Sequence, residues 1–142
     1  MWIQSLHPYR RPPRELSLPI ALSSVQAGFP SPAEGSIDDS LDLNQLMVRH
    51  PASTFFVRVE GDSMRDAGIH SGDILVVDRA EPARHGAVVL AVLNGEFTIK
   101  RWMGSALAPA NPEYPPIPLQ AGMELEVWGV VMYAIHPISC SR

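Results

Sequence analysis

Two residues of this sequence could together carry out nucleophilic chemistry, namely Ser63 and Lys100, the only lysine of the 142-residue chain. Ser63 lies in the segment Gly61-Asp62-Ser63-Met64, directly after a run of β-branched and aromatic residues. This order predicts a serine on a turn at the end of a strand. Alone, such a turn is more typical of a structural serine whose hydroxyl bonds the local backbone. Catalysis would require a neighbouring base that accepts the hydroxyl proton.

Lys100 is the best placed of the possible bases. It lies in the run 96–103, where strand alternation puts Thr98 and Lys100 on one face. The adjacent run 87–93 is apolar at every position and predicts a buried partner strand. Burial can lower the pKa of a lysine by about 3 to 5 units, toward the neutral amine that a base requires. The alternative is a lysine whose amine reaches water at a strand end. The other candidate bases are carboxylates, His70, His85 and His136.

The serine and the lysine fall in a region whose pattern predicts a compact, largely antiparallel β domain. Five β-type runs are bounded by turn residues: 54–60, 73–78, 87–93, 96–103 and 124–135. Asn94-Gly95 predicts a two-residue hairpin turn, because both residue types tolerate positive φ. Residues 40–49 carry apolar side chains at helical spacing and predict one short helix that ends before Pro51. The predicted fold class is therefore mainly β.

Residues 1–40 are predicted to form an extended N-terminal arm, and residues 41–142 the β-rich domain. Five prolines in the arm interrupt any helical or strand period: Pro12, Pro13, Pro19, Pro30 and Pro32. Three arginines make its first part basic: Arg10, Arg11 and Arg14. This cluster favours a solvated arm over a contact to DNA or to an acidic partner.

Composition excludes several classes of function. The net charge of −4 argues against a basic nucleic-acid footprint over the whole domain. No apolar run reaches the roughly 20 residues of a membrane-spanning helix. The single cysteine, Cys140, can build neither an internal disulfide framework nor a multi-cysteine metal site. We therefore expect a cytoplasmic protein with no membrane association and no metal or cofactor.

Five segments, in this order and spacing, resemble the UmuD-like branch of the LexA-type (S24) self-cleaving peptidases. They are AGFPSP at 27–32, LDLNQL at 41–46, GDSM at 61–64, GD at 72–73 and GEFTIK at 95–100. The resemblance covers residues 27 to about 133. The serine and lysine segments, with Ser63 and Lys100 37 positions apart, are jointly its most specific part.

The resemblance implies the β-rich fold of the LexA C-terminal peptidase domain and an autoproteolytic serine endopeptidase. Ser63 would be the nucleophile and Lys100 the general base. The cleaved bond would join Ala27 to Gly28, whose small side chains let an extended strand approach the pair. Backbone amides of Asp62 and Ser63 would stabilise the oxyanion.

The resemblance also implies a role in the SOS response to DNA damage. It predicts a homodimer, stimulation of self-cleavage by RecA filaments on single-stranded DNA, and a UmuC-type Y-family DNA polymerase as partner in translesion synthesis. Residues 1–40 are too few and too rich in proline for a helix-turn-helix domain, so we expect no direct sequence-specific DNA binding.

Two other functions fit parts of the same pattern. A signal-peptidase relative would share serine and lysine chemistry and a preference for small residues before the cut, but its membrane anchor has no counterpart among the apolar runs. A β-barrel interaction module without enzymatic activity would use Ser63 and Lys100 only as turn and surface residues. Loss of the arm on incubation distinguishes the peptidase from this module.

Overall fold

The computed structural model describes residues 1–10, 16–21 and 37–139. Strands dominate these ranges, which confirms the mainly β fold class. No helix of these ranges is long and apolar enough to span a membrane. In chain order the elements are β1 (Trp2–Pro8), β2 (Leu18–Ala21), β3 (Ile37–Leu41), α1 (Leu43–Met47), β4 (Thr54–Glu60), β5 (Ile74–Asp78), β6 (Val88–Leu93), β7 (Glu96–Trp102), β8 (Ala106–Ala108), β9 (Ile117–Pro118) and β10 (Leu125–Ile135).

The chain divides into two compact units, Met1–Arg10 together with His50–Arg142, and Arg11–Arg49. The first unit contains an eight-stranded sheet in the order β1-β4-β5-β10-β6-β7-β8-β9. All of its neighbouring strands are antiparallel, as the short connections between the predicted strands indicate. The sheet curls on itself, so that its first strand, β1, contacts β7.

The second unit contains the antiparallel pair β2–β3 and the helix α1. Asp42 is the N-cap of α1, and its carboxylate accepts hydrogen bonds from the backbone N–H groups of Asn44 at 2.8 Å and Gln45 at 3.4 Å. These bonds satisfy amide groups that have no partner within the helix. The short helix predicted in residues 40–49 is thereby confirmed.

Among the described residues, β1 and β2 lie within residues 1–40 and β3 begins there, although the prolines predict an extended arm with no strand. β1 pairs with β4, with Trp2 opposite Glu60 and Pro8 opposite Phe55. Pro8 is the last residue of β1 and the other five prolines of residues 1–40 follow it, so no proline interrupts the pairing before the end of the strand. The domain boundary at residue 40 stays a prediction.

The hairpin β6–β7 has the predicted turn. Asn94 and Gly95 have φ values of 50° and 83°, and Leu93 lies opposite Glu96. This register places Lys100 opposite Val89, a fully buried residue of β6. The turn at Asn94-Gly95 therefore fixes the register of β7, and the register determines how deeply Lys100 is buried.

Gly129 of β10 has the closest surroundings among the glycines of the described residues. A Cβ at this position would lie 2.6 Å from Val77 Cγ1 and 3.2 Å from the Asp78 carbonyl oxygen of β5. We expect Gly129→Ala to lower the free energy of unfolding by about 1 to 3 kcal/mol, because the two strands would have to separate. Urea denaturation measures this loss.

Gly104→Ala is the comparison for this prediction. Gly104 has a φ of 81° and open space around a Cβ, so its substitution reports backbone strain alone, about 1 kcal/mol. An unfolding midpoint for Gly129→Ala equal to that of the wild type would contradict the close contact between β10 and β5.

Candidate active site

Ser63 lies on the turn that follows β4, as predicted. Gly61 turns the chain with a φ of 102°, and a short 3₁₀ helix begins at Arg65. The side chain of the next residue, Met64, is completely buried and anchors the turn in the core. Ser63 is itself only 1% exposed, so the turn presents its hydroxyl to the interior of the first unit.

The segment after β8 holds this turn through backbone hydrogen bonds. The Ala110 N–H donates to the Ser63 carbonyl at 2.8 Å, and the Asp66 N–H donates to the Ala110 carbonyl at 2.7 Å. Asn111, which is also buried, donates from Nδ2 to the Asp62 carbonyl at 2.8 Å. The backbone of the serine turn is therefore clamped on both sides of Ser63.

Asp62 points its carboxylate toward Tyr114, whose hydroxyl donates to Asp62 Oδ1 at 2.5 Å. This hydrogen bond and the negative charge raise the pKa of the Tyr114 phenol. Tyr114 thus adds a side-chain contact to the same clamp.

Lys100 enters from β7 and is 7% exposed. Its Nζ donates to Ser63 Oγ at 3.1 Å and to the Ile99 carbonyl at 3.2 Å. Burial lowers the pKa of this amine, because the charged form loses its hydration. The structure therefore brings the two predicted residues together and excludes the alternative of a lysine that reaches water.

The curl of the sheet brings Ser63 close to Lys100. β5, β10 and β6 separate β4 from β7 in the strand order, so a flat sheet would hold Ser63 and Lys100 far apart. In the curled sheet the edge strand β1 approaches β7, and the Ile99 N–H donates to the Met1 carbonyl at 3.4 Å. The first unit closes around the serine in this way.

Met1 is a third member of the site, and nothing in the sequence pattern predicted it. Its α-amino group donates to Ser63 Oγ at 2.8 Å. Desolvation, followed by the charge of Lys100, lowers the pKa of this amino group to about 5. Asn111 was also missed, because it lies in a proline-rich stretch with no catalytic spacing.

The cleavage site predicted at Ala27 and Gly28 lies outside the described residues, as do Arg11, Arg14 and Cys140. Asp62 and Ser63, the predicted oxyanion residues, lie on the clamped turn. Their assignment to an oxyanion stays a prediction.

One group of acidic and histidine side chains in the described ranges, His50, Asp78 and Glu81, brings possible metal-ligand atoms within 4.8 Å of one another. Asp78 already accepts hydrogen bonds from His50 Nδ1 at 2.6 Å, Ser53 Oγ at 2.9 Å and Ala80 N at 2.8 Å. Burial opposes its ionisation, but these bonds outweigh burial and keep the pKa of Asp78 below its usual value. We assign the group a structural role at the end of β5.

A curled antiparallel sheet that buries a serine against a desolvated lysine is an arrangement suited to a serine peptidase with an amine base. The profile of the family described as "Peptidase S24-like" matches residues 19–132. The match spans most of the chain, and the protein belongs to the S24-like peptidase family.

Similar proteins support the same membership over nearly the full length. The chain is 44% identical over 132 residues to Protein MucA of Salmonella typhimurium, covering 89% of this chain and 90% of that protein. It is 46% identical over 127 residues to Protein SamA of Salmonella typhimurium strain LT2, covering 87% and 89%. It is 37% identical over 126 residues to the LexA repressor of Paracidovorax citrulli, covering 86% of this chain and 55% of the repressor. The predicted UmuD-like S24 family is confirmed.

Proposed function

We propose that this protein is a self-cleaving serine endopeptidase that removes its own N-terminal arm by hydrolysing the bond between Ala27 and Gly28. The observation that carries the proposal is the buried contact of 3.1 Å between Lys100 Nζ and Ser63 Oγ, in a member of a peptidase family. A buried lysine with a lowered pKa can be neutral and accept a proton.

In the proposed reaction, Ser63 Oγ bonds to the Ala27 carbonyl carbon while its proton passes to neutral Lys100 Nζ. The bond from that carbon to the Gly28 nitrogen then breaks, and Lys100 gives the proton to the leaving amine. Water attacks the resulting ester, with Lys100 accepting one proton of the water. Lys100 returns this proton to Ser63 Oγ as the ester bond breaks, which restores the site and releases the carboxyl group of Ala27.

The N–H groups of Asp62 and Ser63 are proposed to stabilise the oxyanion of each tetrahedral intermediate. Across the described ranges, neither N–H donates a hydrogen bond to another residue. The carbonyl groups of the same turn are held by Asn111 and Ala110, which fixes the direction of these amides. The thirteen residues 28–40 could extend on the order of 40 Å, long enough to carry the cleaved bond across a small domain.

Asn111 is therefore a positioning residue in this proposal. We expect Asn111→Ala to slow self-cleavage about tenfold, because the Asp62 carbonyl and the adjacent amides lose their alignment. The rate should be measured at a temperature where the variant is fully folded, and the midpoint of its pH profile should stay that of the wild type.

Glu113→Ala is the matched control for Asn111→Ala, since Glu113 lies two residues further along on the surface. Its rate should equal that of the wild type. Equal rates for Asn111→Ala and the wild type would remove Asn111 from the mechanism.

The family resemblance carries the biological part of the proposal. Self-cleavage would be stimulated by RecA filaments on single-stranded DNA, and the processed homodimer would act as accessory subunit of a UmuC-type Y-family polymerase in SOS translesion synthesis. This would be a cytoplasmic activity without cofactor or metal.

The proposal is tested by the intact mass of the purified chain during incubation at alkaline pH, and in parallel with RecA, single-stranded DNA and a nucleotide. We expect residues 1–142 to be replaced by fragments of residues 1–27 and 28–142. Ala27→Glu is the control for the position of the cut, because a long charged side chain at this bond should block it. An uncut wild type under both conditions would favour the interaction module instead.

A further inference from the structure

Met1 is buried at the candidate active site and contacts Ser63. Met1 is only 7% exposed, and its side chain belongs to the core cluster that contains Val57, Val59 and Met64. Its amino group and its carbonyl both make hydrogen bonds, to Ser63 Oγ at 2.8 Å and from the Ile99 N–H at 3.4 Å. Lys100 is the chain's only lysine, so the α-amine of Met1 and the side chain of Lys100 bring both primary amines to Ser63.

β1 holds Met1 in this place. It pairs with β4 from Trp2 to Pro8, and the partly buried Ile3 and Leu6 pack against the core cluster. The turn at Gly61, which has a φ of 102°, lies beside Met1, and a Cβ there would be in van der Waals contact with Met1 Cα at 3.4 Å. The position of Met1 is therefore set by a whole strand.

A peptide bound for cleavage would need Ser63 Oγ and the Ile99 N–H, the two groups that Met1 contacts. An attacking serine oxygen must come within about 3 to 3.5 Å of the carbonyl carbon, yet Met1 N already lies 2.8 Å from Ser63 Oγ. A peptide that adds to a sheet edge uses the exposed amides of that edge, and Met1 occupies the Ile99 N–H of β7. An open groove of about 410 Å³ continues between the strands and is lined by Trp2, Ile3, Glu96 and Phe97.

We propose that the groove at Ser63 binds an extended peptide and that its resident ligand is the chain's own first strand, which blocks Ser63 until β1 leaves. This inference rests on the proposed peptidase function. The cleavage segment and β1 compete for one site, so the rate of self-cleavage is limited by the fraction of molecules in which β1 is undocked. An activator that favours the undocked state would raise the rate without touching the serine or the lysine.

A consequence concerns the product. A cut between Ala27 and Gly28 leaves β1 on the N-terminal fragment, but its pairing with β4 and its core contacts do not depend on that bond. The fragment, undocked while Ser63 acts, is therefore expected to dock again after cleavage. Its release is then a separate step, which uncovers both Ser63 and the edge of β4.

The test uses the full chain with Ile3→Asp, which places a charge where β1 packs on the core, and with Gln4→Asp, an exposed position of the same strand, as control. Docking is measured by acetylation with an amine-reactive ester at pH 8, and mass spectrometry of proteolytic peptides then locates the acetyl groups on Met1 or on Lys100. We expect Met1 of the folded wild type and of Gln4→Asp to react about tenfold more slowly than in urea, and Met1 of Ile3→Asp to lose this protection.

Self-cleavage of the same three proteins at alkaline pH should be about tenfold faster for Ile3→Asp than for the other two. A synthetic peptide of residues 1–10 should slow Ile3→Asp back toward the wild-type rate, which excludes a general loosening of the fold. An acceleration that the peptide does not reverse would count against β1 as ligand.

Two further results would overturn the inference. One is a Met1 amine that reacts equally fast in folded and urea-treated wild type, since the groove would then be empty. The other is an Ile3→Asp chain with exposed Met1 that cleaves at the wild-type rate, which would remove the inhibition and leave the peptidase intact. Absence of cleavage in all three proteins, with Ser63 uncovered in Ile3→Asp, would instead refute the peptidase and the inhibition together.

Discussion

Ser63→Ala will keep its N-terminal arm under conditions in which the wild type loses residues 1–27. Alanine has no oxygen to attack the Ala27 carbonyl, so the rate of self-cleavage should fall by at least about 10³-fold, the scale of loss when a peptidase nucleophile is removed. Intact mass after alkaline incubation, and after incubation with RecA filaments, measures the result.

The fold should survive this substitution, because the turn is held by Met64 in the core and by backbone bonds to Ala110. Ser105→Ala is the matched control, since Ser105 is an exposed serine between β7 and β8, and its self-cleavage should equal that of the wild type. A Ser63→Ala chain that still cuts between Ala27 and Gly28 would eliminate Ser63 as the nucleophile.

Lys100→Ala and Lys100→Arg will both abolish self-cleavage, again by at least about 10³-fold. Alanine removes the base. Arginine keeps a positive donor near Ser63 but remains protonated at every working pH, so it cannot accept the hydroxyl proton. The arginine variant therefore separates proton transfer from simple electrostatic support, and near-normal cleavage by Lys100→Arg would contradict the assignment of Lys100 as base. Circular dichroism and thermal unfolding check that each variant is folded.

The pH dependence of the wild-type rate follows from the same assignment. The reactive lysine is neutral, so the rate should rise as pH passes through the lowered pKa of Lys100 and then level off. Met1 acts in the opposite direction below pH 8, because its amine has a pKa of about 5 when docked and 8.0 when free. Docking therefore releases protons and strengthens as pH rises from 5 to 8, although the carboxylate of Asp62 counteracts part of the shift.

Above pH 8 the docking of Met1 no longer changes with pH, and any further rise in rate reports Lys100 alone. Single-turnover rates across the range measure both effects. A rate that is constant between about pH 6 and 10 would count against a titrating base.

Much of the β structure could be predicted from the sequence, because strand and turn preferences depend on residues that are close together in the chain. Runs of β-branched and aromatic residues bounded by turn residues located β4 to β7 and β10 to within a residue or two, and Asn94-Gly95 marked the hairpin that sets the register of Lys100. The helix α1 followed from its apolar spacing and from the acidic and small polar residues ahead of Leu43, and the structure adds that Asp42 is its N-cap. β1 was missed, because the nearby prolines predict an extended arm and because its partner β4 lies some fifty residues away.

The candidate site was predicted in part. Ser63 and Lys100 could be proposed as a catalytic pair from the sequence. The grounds were their residue types, their positions after one strand and within another, and their joint resemblance to one peptidase family. Asn111 and Met1 carry no such signal, since a buried amide in a proline-rich stretch and a first residue have many possible roles. The roles proposed for them depend on the groups that the tertiary structure places beside them, the Asp62 carbonyl for Asn111 and the Ser63 hydroxyl for Met1.

The amino-acid order was therefore sufficient for β4 to β7 and β10, for the hairpin and for the serine turn, since each rests on local backbone preferences. With the family resemblance, it was also sufficient to propose Ser63 as nucleophile and Lys100 as base. The distance of 3.1 Å between Ser63 Oγ and Lys100 Nζ depends on the curl of a sheet in which three strands separate β4 from β7. The arrival of Met1 at Ser63 depends on β1 pairing, as the edge strand of the sheet, with β4, which is distant in the sequence. Such contacts form between parts of the chain far apart in sequence, where packing of the whole core outweighs any local preference.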